Sequence, residues 1–301
     1  MAESEGGLIS VLIPARGRPL ELARAIRCLR SAAAGDRGIE ILVAIDDDDT
    51  AFHRPPFLDP AVRVLVGPRP PTLGVKLNLL ARAAEGEILW FLADDYVMDT
   101  PGWPALFRAG VATLPGGVGV LYPRDALHPD HASFPLVTRQ MLATVGYFAP
   151  VWFPYWFVDT WWDELGILLG CRRPLEVVVS APEGRGQSNS VFDLAFWAQL
   201  FEDMRSLRVR DAHALAARAA AAGGPPAEAM LAALPERYAL CAQRTTRLRD
   251  PFRIAYWENY QALGPRPERY LAVKAAGERA MAALRRGEEP ERPFEMVSKT
   301  G

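Results

Sequence analysis

Two adjacent carboxylates, Asp94 and Asp95, follow directly on the apolar run Ile88-Leu89-Trp90-Phe91-Leu92-Ala93. Neighbouring acids at the end of a buried strand repel each other and cost desolvation unless a positive group sits beside them. A divalent metal carrying a diphosphate would supply that charge, because hard cations take oxygen ligands. The plain alternative is a solvated Asp-Asp turn. A second acidic set, Asp46-Asp47-Asp48-Asp49, follows the apolar run 39–45. Four acids there could equally form a solvated, capping loop.

These residues need elements to carry them. Residues 9–13 read as a buried strand, 14–19 as a loop and 20–33 as a helix. Strands are expected at 39–45, 62–66 and 88–92, with a helix at 74–84 between the last two. Strands written as continuous apolar runs and alternating with helices predict an α/β fold, with a mainly parallel sheet covered on both faces. Ligands on such sheets bind at the carboxyl ends of strands. Here those ends carry Pro14-Ala15-Arg16, the acids 46–49, and Asp94-Asp95.

Residues 118–179 read as irregular and aromatic-rich, with Tyr147, Phe148, Trp152, Phe153, Tyr155, Trp156, Phe157, Trp161 and Trp162 close together. That run is either core or a stacking platform for a sugar or another flat acceptor. A short strand is expected at 175–179 and a loop at 182–187. Helices are expected at 191–207, 212–222, 227–242 and 268–286. The chain is expected to divide into an α/β unit over 1–185 and a helical extension over 186–301.

The chain has 301 residues, half of them hydrophobic, and a net charge of −2. That is ample for a large core, and nothing global favours nucleic acid or an anionic membrane. Cys28, Cys171 and Cys241 lack metal-ligand spacing and read as reduced thiols in a cytoplasmic protein. No apolar run reaches the ~18 residues of a membrane span. No G-x-G-x-x-G follows the first strand, which disfavours a dinucleotide-binding dehydrogenase.

The order strand–Pro-Ala-Arg, strand–Asp-Asp, Lys-x-Asn helix, Gly-Glu–strand–Asp-Asp resembles the nucleotide-sugar half of a GT-A glycosyltransferase of the inverting family-2 type, over roughly residues 8–170. The resemblance implies a GT-A, Rossmann-like sheet with the C-terminal helical extension added. It implies Pro14, Ala15 and Arg16 at the nucleoside, and Asp46 or Asp47 on the base. Lys76 and Asn78 would lie near the nucleotide, Asp94 near the ribose, and Asp95 on a manganese or magnesium ion. Ala93 stands where the family's Asp-x-Asp has its first acid. Asp159, opening a helix after the aromatic loop, matches the catalytic base, with Asp163 and Glu164 as backups and Val158 in place of the usual preceding Glu.

The implied activity is metal-assisted transfer, with inversion, of a sugar from a nucleotide-diphosphate sugar to an acceptor hydroxyl, with a UDP-sugar as preferred donor. A saccharide, a lipid-linked group or a DNA base is left open as acceptor. Two alternatives stand beside it. One is a non-catalytic nucleotide-sugar-binding module. The other is a nucleotidyltransferase of similar fold, which the single glycine in residues 14–18 disfavours.

Asp159 could instead be a helix cap. His213 reads as a surface residue, and His128 and His131 as loop residues that could stand near the acceptor. Arg237, Arg244, Arg247, Arg249 and Arg253 form a basic cluster, either a solvated face or a contact for a phosphate-bearing acceptor.

Overall fold

The β-branched and Leu-rich runs form strands, buried on both faces in the middle of the sheet and partly exposed in the edge strand of residues 62–67. Strand β1 (Ile9–Ala15) pairs in parallel with β2 (Ile39–Asp46) and with β4 (Ile88–Phe91), and β2 pairs in parallel with β3 (Val62–Gly67). A computed structural model describes residues 7–52, 61–125, 128–182, 192–248, 262 and 264–294. Among these, eight strands make one sheet in the order β3-β2-β1-β4-β7-β6-β8-β5. The four consecutive strands β3, β2, β1 and β4 are all parallel. Beyond them, β7 (Leu136–Thr138) runs antiparallel to β4 and to β6 (Val120–Asp125), and β8 (Arg172–Ser180) is parallel to β6. The short β5 (Val97–Met98) closes the far edge against β8.

The helices follow local signals. In α1 (Pro19–Ala32), Pro19 stands in the first turn, and Leu22, Ala25, Ile26 and Leu29 form the buried stripe. Helix α2 (Leu73–Ala83) opens on Thr72, whose hydroxyl accepts the Val75 N–H at 3.2 Å. Gly74 lets α2 meet the aromatic loop, since a Cβ there would lie 1.9 Å from the Pro150 carbonyl oxygen. Helix α3 (Trp103–Ala112) packs against β8.

Residues 118–179 are more regular than their sequence suggests. Besides β6, β7 and β8 they hold α4 (Arg139–Val145) and α5 (Val158–Leu169). The aromatic run is core rather than an open platform. Phe153 packs with Trp161, Trp197 and Phe201, and the Trp162 indole donates to the Phe148 carbonyl at 2.5 Å. Only Tyr155 and Trp156 in the run 147–157 are aromatic side chains that stay half-buried.

The C-terminal helices are α6 (Leu194–Asp203), α7 (Arg205–Ala221), α8 (Ala227–Leu231), α9 (Leu234–Leu248) and α10 (Glu268–Arg285). Helix α7 lies on α4 and α5, α9 on α5, and α10 on α6. The break expected between residues 207 and 212 is absent, and the chain breaks at Met204 instead. The span 227–242 is two helices rather than one. Residues 183–191, in the loop expected after β8, lie outside the described residues. The three cysteines are free, and only Cys241 is buried. Among the described residues no helix is long and apolar enough to cross a membrane.

Candidate active site

The parallel registers bring three segments to one edge of the sheet. Ala15 ends β1, Asp46 ends β2, and Asp94-Asp95 follow β4. Pro14 and Ala15 are still strand, in register with Ala44 and Ile45, so the turn starts at Arg16. This turn, residues 16–18, is strapped by acids on both sides. Arg16 Nη1 lies 2.8 Å from Asp46 Oδ2 and 2.5 Å from Asp48 Oδ1. The Gly17 N–H donates to Asp49 at 2.7 Å. Arg18 reaches across to Asp94 and Asp95.

Asp46 is buried and held by three cations. Lys76 Nζ lies 2.7 Å from its Oδ1, Arg16 is on Oδ2, and Arg69 Nε lies 3.8 Å away. Lys76 also donates to the Ala15 carbonyl at 2.9 Å. Burial draws the Lys76 ammonium below its ordinary pKa, against the pull of Asp46. Lys76 therefore fastens β1 to Asp46 from within. Asp47 is exposed, with its N–H bonded to Gly67. Two cations escaped the sequence reading: Arg69, just after β3, and Arg269 on α10, whose charge acts on Arg16, Asp46 and Asp48.

Asn78 is buried against the aromatic loop. Its Nδ2 donates to the Ala149 carbonyl at 2.9 Å, and its Oδ1 accepts the N–H groups of Phe148 and Ala149 at 2.8 and 2.9 Å. Both halves of the amide are thus spent on the backbone of the aromatic loop.

Asp94 is 1% exposed. Its Oδ1 lies 2.5 Å from Arg18 Nη2, and its Oδ2 accepts the Arg16 N–H at 3.2 Å. Burial pushes its pKa up to about 6, with Arg18 pulling the other way. Asp95 Oδ2 accepts from Arg18 Nη1. Of the four oxygens on this pair, only Asp95 Oδ1 accepts no N–H among the described residues. That one hard oxygen suits a divalent ion, and Asp94 does not. Among the described residues no cluster of three or more His, Cys, Asp or Glu side chains is assembled for a metal. Phosphate oxygens of a bound nucleotide would have to complete the coordination.

Tyr96 links this edge to the loop that holds His131. Its ring meets Phe134 edge-on, centroids 4.4 Å apart, and Phe134 ends the loop that holds His131. His131 faces Asp159, with Nδ1 3.8 Å from Oδ2. Asp159 is the second residue of α5. It follows Phe157, whose φ of 70° is uncommon for a non-glycine residue and is held by stacking on Phe201. Asp159 is about one-third exposed, and among the described residues no Lys or Arg pairs with it.

The two backup acids have other work. Asp163 is buried and bonded to Arg172 Nε at 2.5 Å, Arg244 Nη1 at 2.9 Å and the Ala132 N–H at 2.8 Å. Despite burial, the charges around it hold its carboxyl below the ordinary range. Glu164 is buried between Arg205 and Arg208. In the basic cluster, Arg237 donates to the Leu168 and Met230 carbonyls and Arg244 to Asp163, so both are structural. The side chains of Arg247, Arg249 and Arg253 lie outside the described residues, and His213 is exposed on α7.

Comparisons with known proteins agree with this architecture. Residues 10–119, from β1 to the start of β6, match the model of the family described as Glycosyl transferase family 2. The fold is similar to that of a mannosyltransferase from Pyrobaculum calidifontis, solved in complex with GDP-Man and Mn2+. That likeness has 16% identity and a TM-score of 0.50, and covers 91% of this chain and 88% of the other. TarS of S. aureus, residues 1–349 in complex with UDP-GlcNAc, is similar at 14% identity and a TM-score of 0.50, covering 93% and 87%. No curated protein sequence matches the chain. That segment lies on this sheet, whose mainly parallel arrangement flanked by helices is the GT-A, Rossmann-like fold.

Proposed function

We propose that the chain transfers a sugar from a nucleotide-diphosphate sugar to an acceptor hydroxyl with inversion at the anomeric carbon, Asp159 acting as general base and Asp95 holding a divalent ion. The observation that carries this reading is the contrast among the acids. Asp46, Asp48, Asp94, Asp95, Asp163 and Glu164 are all bonded to arginines or lysine, whereas Asp159 stands one-third exposed with no Lys or Arg partner among the described residues. A general base needs that freedom to accept a proton.

In the proposed step the acceptor oxygen attacks the anomeric carbon from the side of Asp159. Its proton passes to an Asp159 oxygen, and the bond from the anomeric carbon to the diphosphate breaks. The configuration inverts because attack and departure are on opposite faces. A divalent ion at Asp95 Oδ1 would spread the negative charge of the departing diphosphate. Arg16 and Arg18 stand at the same edge and supply fixed positive charge there. The helices of residues 186–301 are read as the acceptor-side unit, with Tyr155 and Trp156 as the half-buried aromatics nearest to open space.

The preferred donor is a UDP-sugar, and GDP-mannose and UDP-GlcNAc, named for the two similar structures, belong in the same screen. A nucleotide sugar at 100 times its dissociation constant should raise stability by about 2.7 kcal/mol in a thermal-shift assay. The test is release of nucleotide diphosphate in the presence of Mn2+, with NMR of the product's anomeric proton. Asp159→Asn should cut turnover by at least ~10²-fold with donor binding kept. Retention of configuration, full activity of Asp159→Asn, or no response to any nucleotide sugar would overturn the proposal.

A further inference from the structure

His131 was one of several loop histidines in the sequence, and the fold gives it a specific neighbour. Its Nδ1 lies 3.8 Å from Asp159 Oδ2 and 3.2 Å from Ser133 Oγ. Its Nε2 lies 3.4 Å from Thr160 Oγ1, and that hydroxyl lies 3.3 Å from Asp159 Oδ1. The imidazole thus faces the carboxylate directly and is linked to it through Thr160. The loop that carries His131 is fixed independently. The Ala132 N–H donates to Asp163, and Arg172 donates to the Asp130 carbonyl. Asp159 and Asp163 are one helical turn apart on α5, so a single helix face sets both the loop and the pair.

The charges around His131 single out Asp159. From α5 it meets Asp159 and Asp163. Asp163 is already paired with Arg172 from β8 and Arg244 from α9, and Asp130 is the acid next to His131 in its own loop. Of these two α5 acids, Asp159 is the one with no arginine among the described residues.

We infer that His131 is a positioning residue that governs the Asp159 carboxylate, leaving it free to take a proton while the imidazole is neutral and capturing it as an ion pair once the imidazole is protonated. The inference rests on the reading of Asp159 as base. At 3.8 Å the neutral ring is too far for a hydrogen bond to Oδ2, so it aims the carboxylate through Thr160 without tying it up. An imidazolium at the same place would neutralise the base and shut the reaction down on the acid side.

The test is the pH dependence of kcat/KM for hydrolysis of UDP-GlcNAc or GDP-mannose, whichever turns over, with water as acceptor. The parental protein should lose activity on the acid side. In His131→Gln that acid limb should move to lower pH by at least one unit. Its loss at pH 8 should be much smaller than that of Asp159→Asn. An acid limb that stays in place, or a loss equal at every pH, overturns the inference. Full activity of Asp159→Asn would instead defeat the base assignment. An activity-free reading comes from NMR of the His131 ring, one of four histidines in the chain. Its ring resonances should move in Asp159→Asn, and unchanged resonances overturn the pairing.

Discussion

Arg18 closes its guanidinium fork over both acids at the end of β4, with Nη2 2.5 Å from Asp94 Oδ1 and Nη1 on Asp95 Oδ2. The repulsion built into the Asp94-Asp95 pair is therefore relieved from within the chain. A divalent ion at Asp95 must share the carboxylate with this arginine, and the two positive charges oppose each other. Arg18→Ala should consequently bind Mn2+ more tightly than the parental protein in the absence of nucleotide, and Asp95→Ala should abolish that binding. Electron paramagnetic resonance of free Mn2+ measures both. Weaker Mn2+ binding in Arg18→Ala would mean that the arginine supports the ion rather than competes with it.

Asp94 links the same edge to pH. Its carboxyl is raised by burial from an ordinary 3.8 to about 6. Between these values the unfolded chain has lost the proton while the folded one still holds it, so stability falls as pH rises across this window. Above the window the loss is complete. Asp94→Asn removes the titration, so the variant should gain stability relative to the parental protein from pH 4 to 6.5 and then level off. Urea unfolding at four or five pH values decides it. A relative loss over that window would show that Arg18 outweighs desolvation.

Much of the fold was legible because β1, β2 and β4 are continuous apolar runs, and a parallel sheet buried on both faces demands such runs. Their polar ends lie together at one edge of the sheet for the same reason. What stayed hidden depends on partners distant in sequence. Arg18 meets acids 76 and 77 positions away. Helix α7 was misread because Arg208 and Asp211 face inward, where Arg208 pairs with Glu164 and Asp211 accepts from Tyr147. Buried ions on the core stripe interrupt the apolar period that marks a helix. Arg208 also lies over the Phe201 ring at 3.7 Å, a contact no local pattern announces. The aromatic loop had the composition of either a core or a platform, and only the packing of Phe153 and Trp162 separates them.

Asn78 ties the Lys-x-Asn segment to the aromatic loop, and its removal tests how much that contact contributes. Its side chain satisfies two N–H groups and one carbonyl of the aromatic loop, all buried. Asn78→Ala leaves these groups without partners, at about 1–3 kcal/mol for each one unsatisfied. Part of that will be recovered by relaxation, so a total on the order of 3 kcal/mol is expected from denaturant titration. Nucleotide affinity of the folded variant should be nearly unchanged. A variant of parental stability that no longer binds nucleotide would return Asn78 to the donor site.

The last contrast lies within one turn of α5. Asp159 and Asp163 are both acids near the start of the helix, yet they differ in surroundings. Asp163 is 1% exposed, pairs with Arg172 and Arg244, and accepts the Ala132 N–H. Removing its charge leaves Arg172, itself largely buried, without its carboxylate and frees the loop that holds His131. Breaking a buried pair in this way costs on the order of 3 kcal/mol. Asp163→Ala should therefore unfold at clearly lower denaturant, and whatever activity it loses should follow from that and from the displaced loop. Asp159→Asn keeps the side-chain size and much of its capping ability, so its stability should stay within about 1 kcal/mol of the parental value. Its turnover should nevertheless fall the further of the two when both are assayed fully folded. Equal losses of stability in the two variants would make Asp159 a structural acid like its neighbour and remove it as the base.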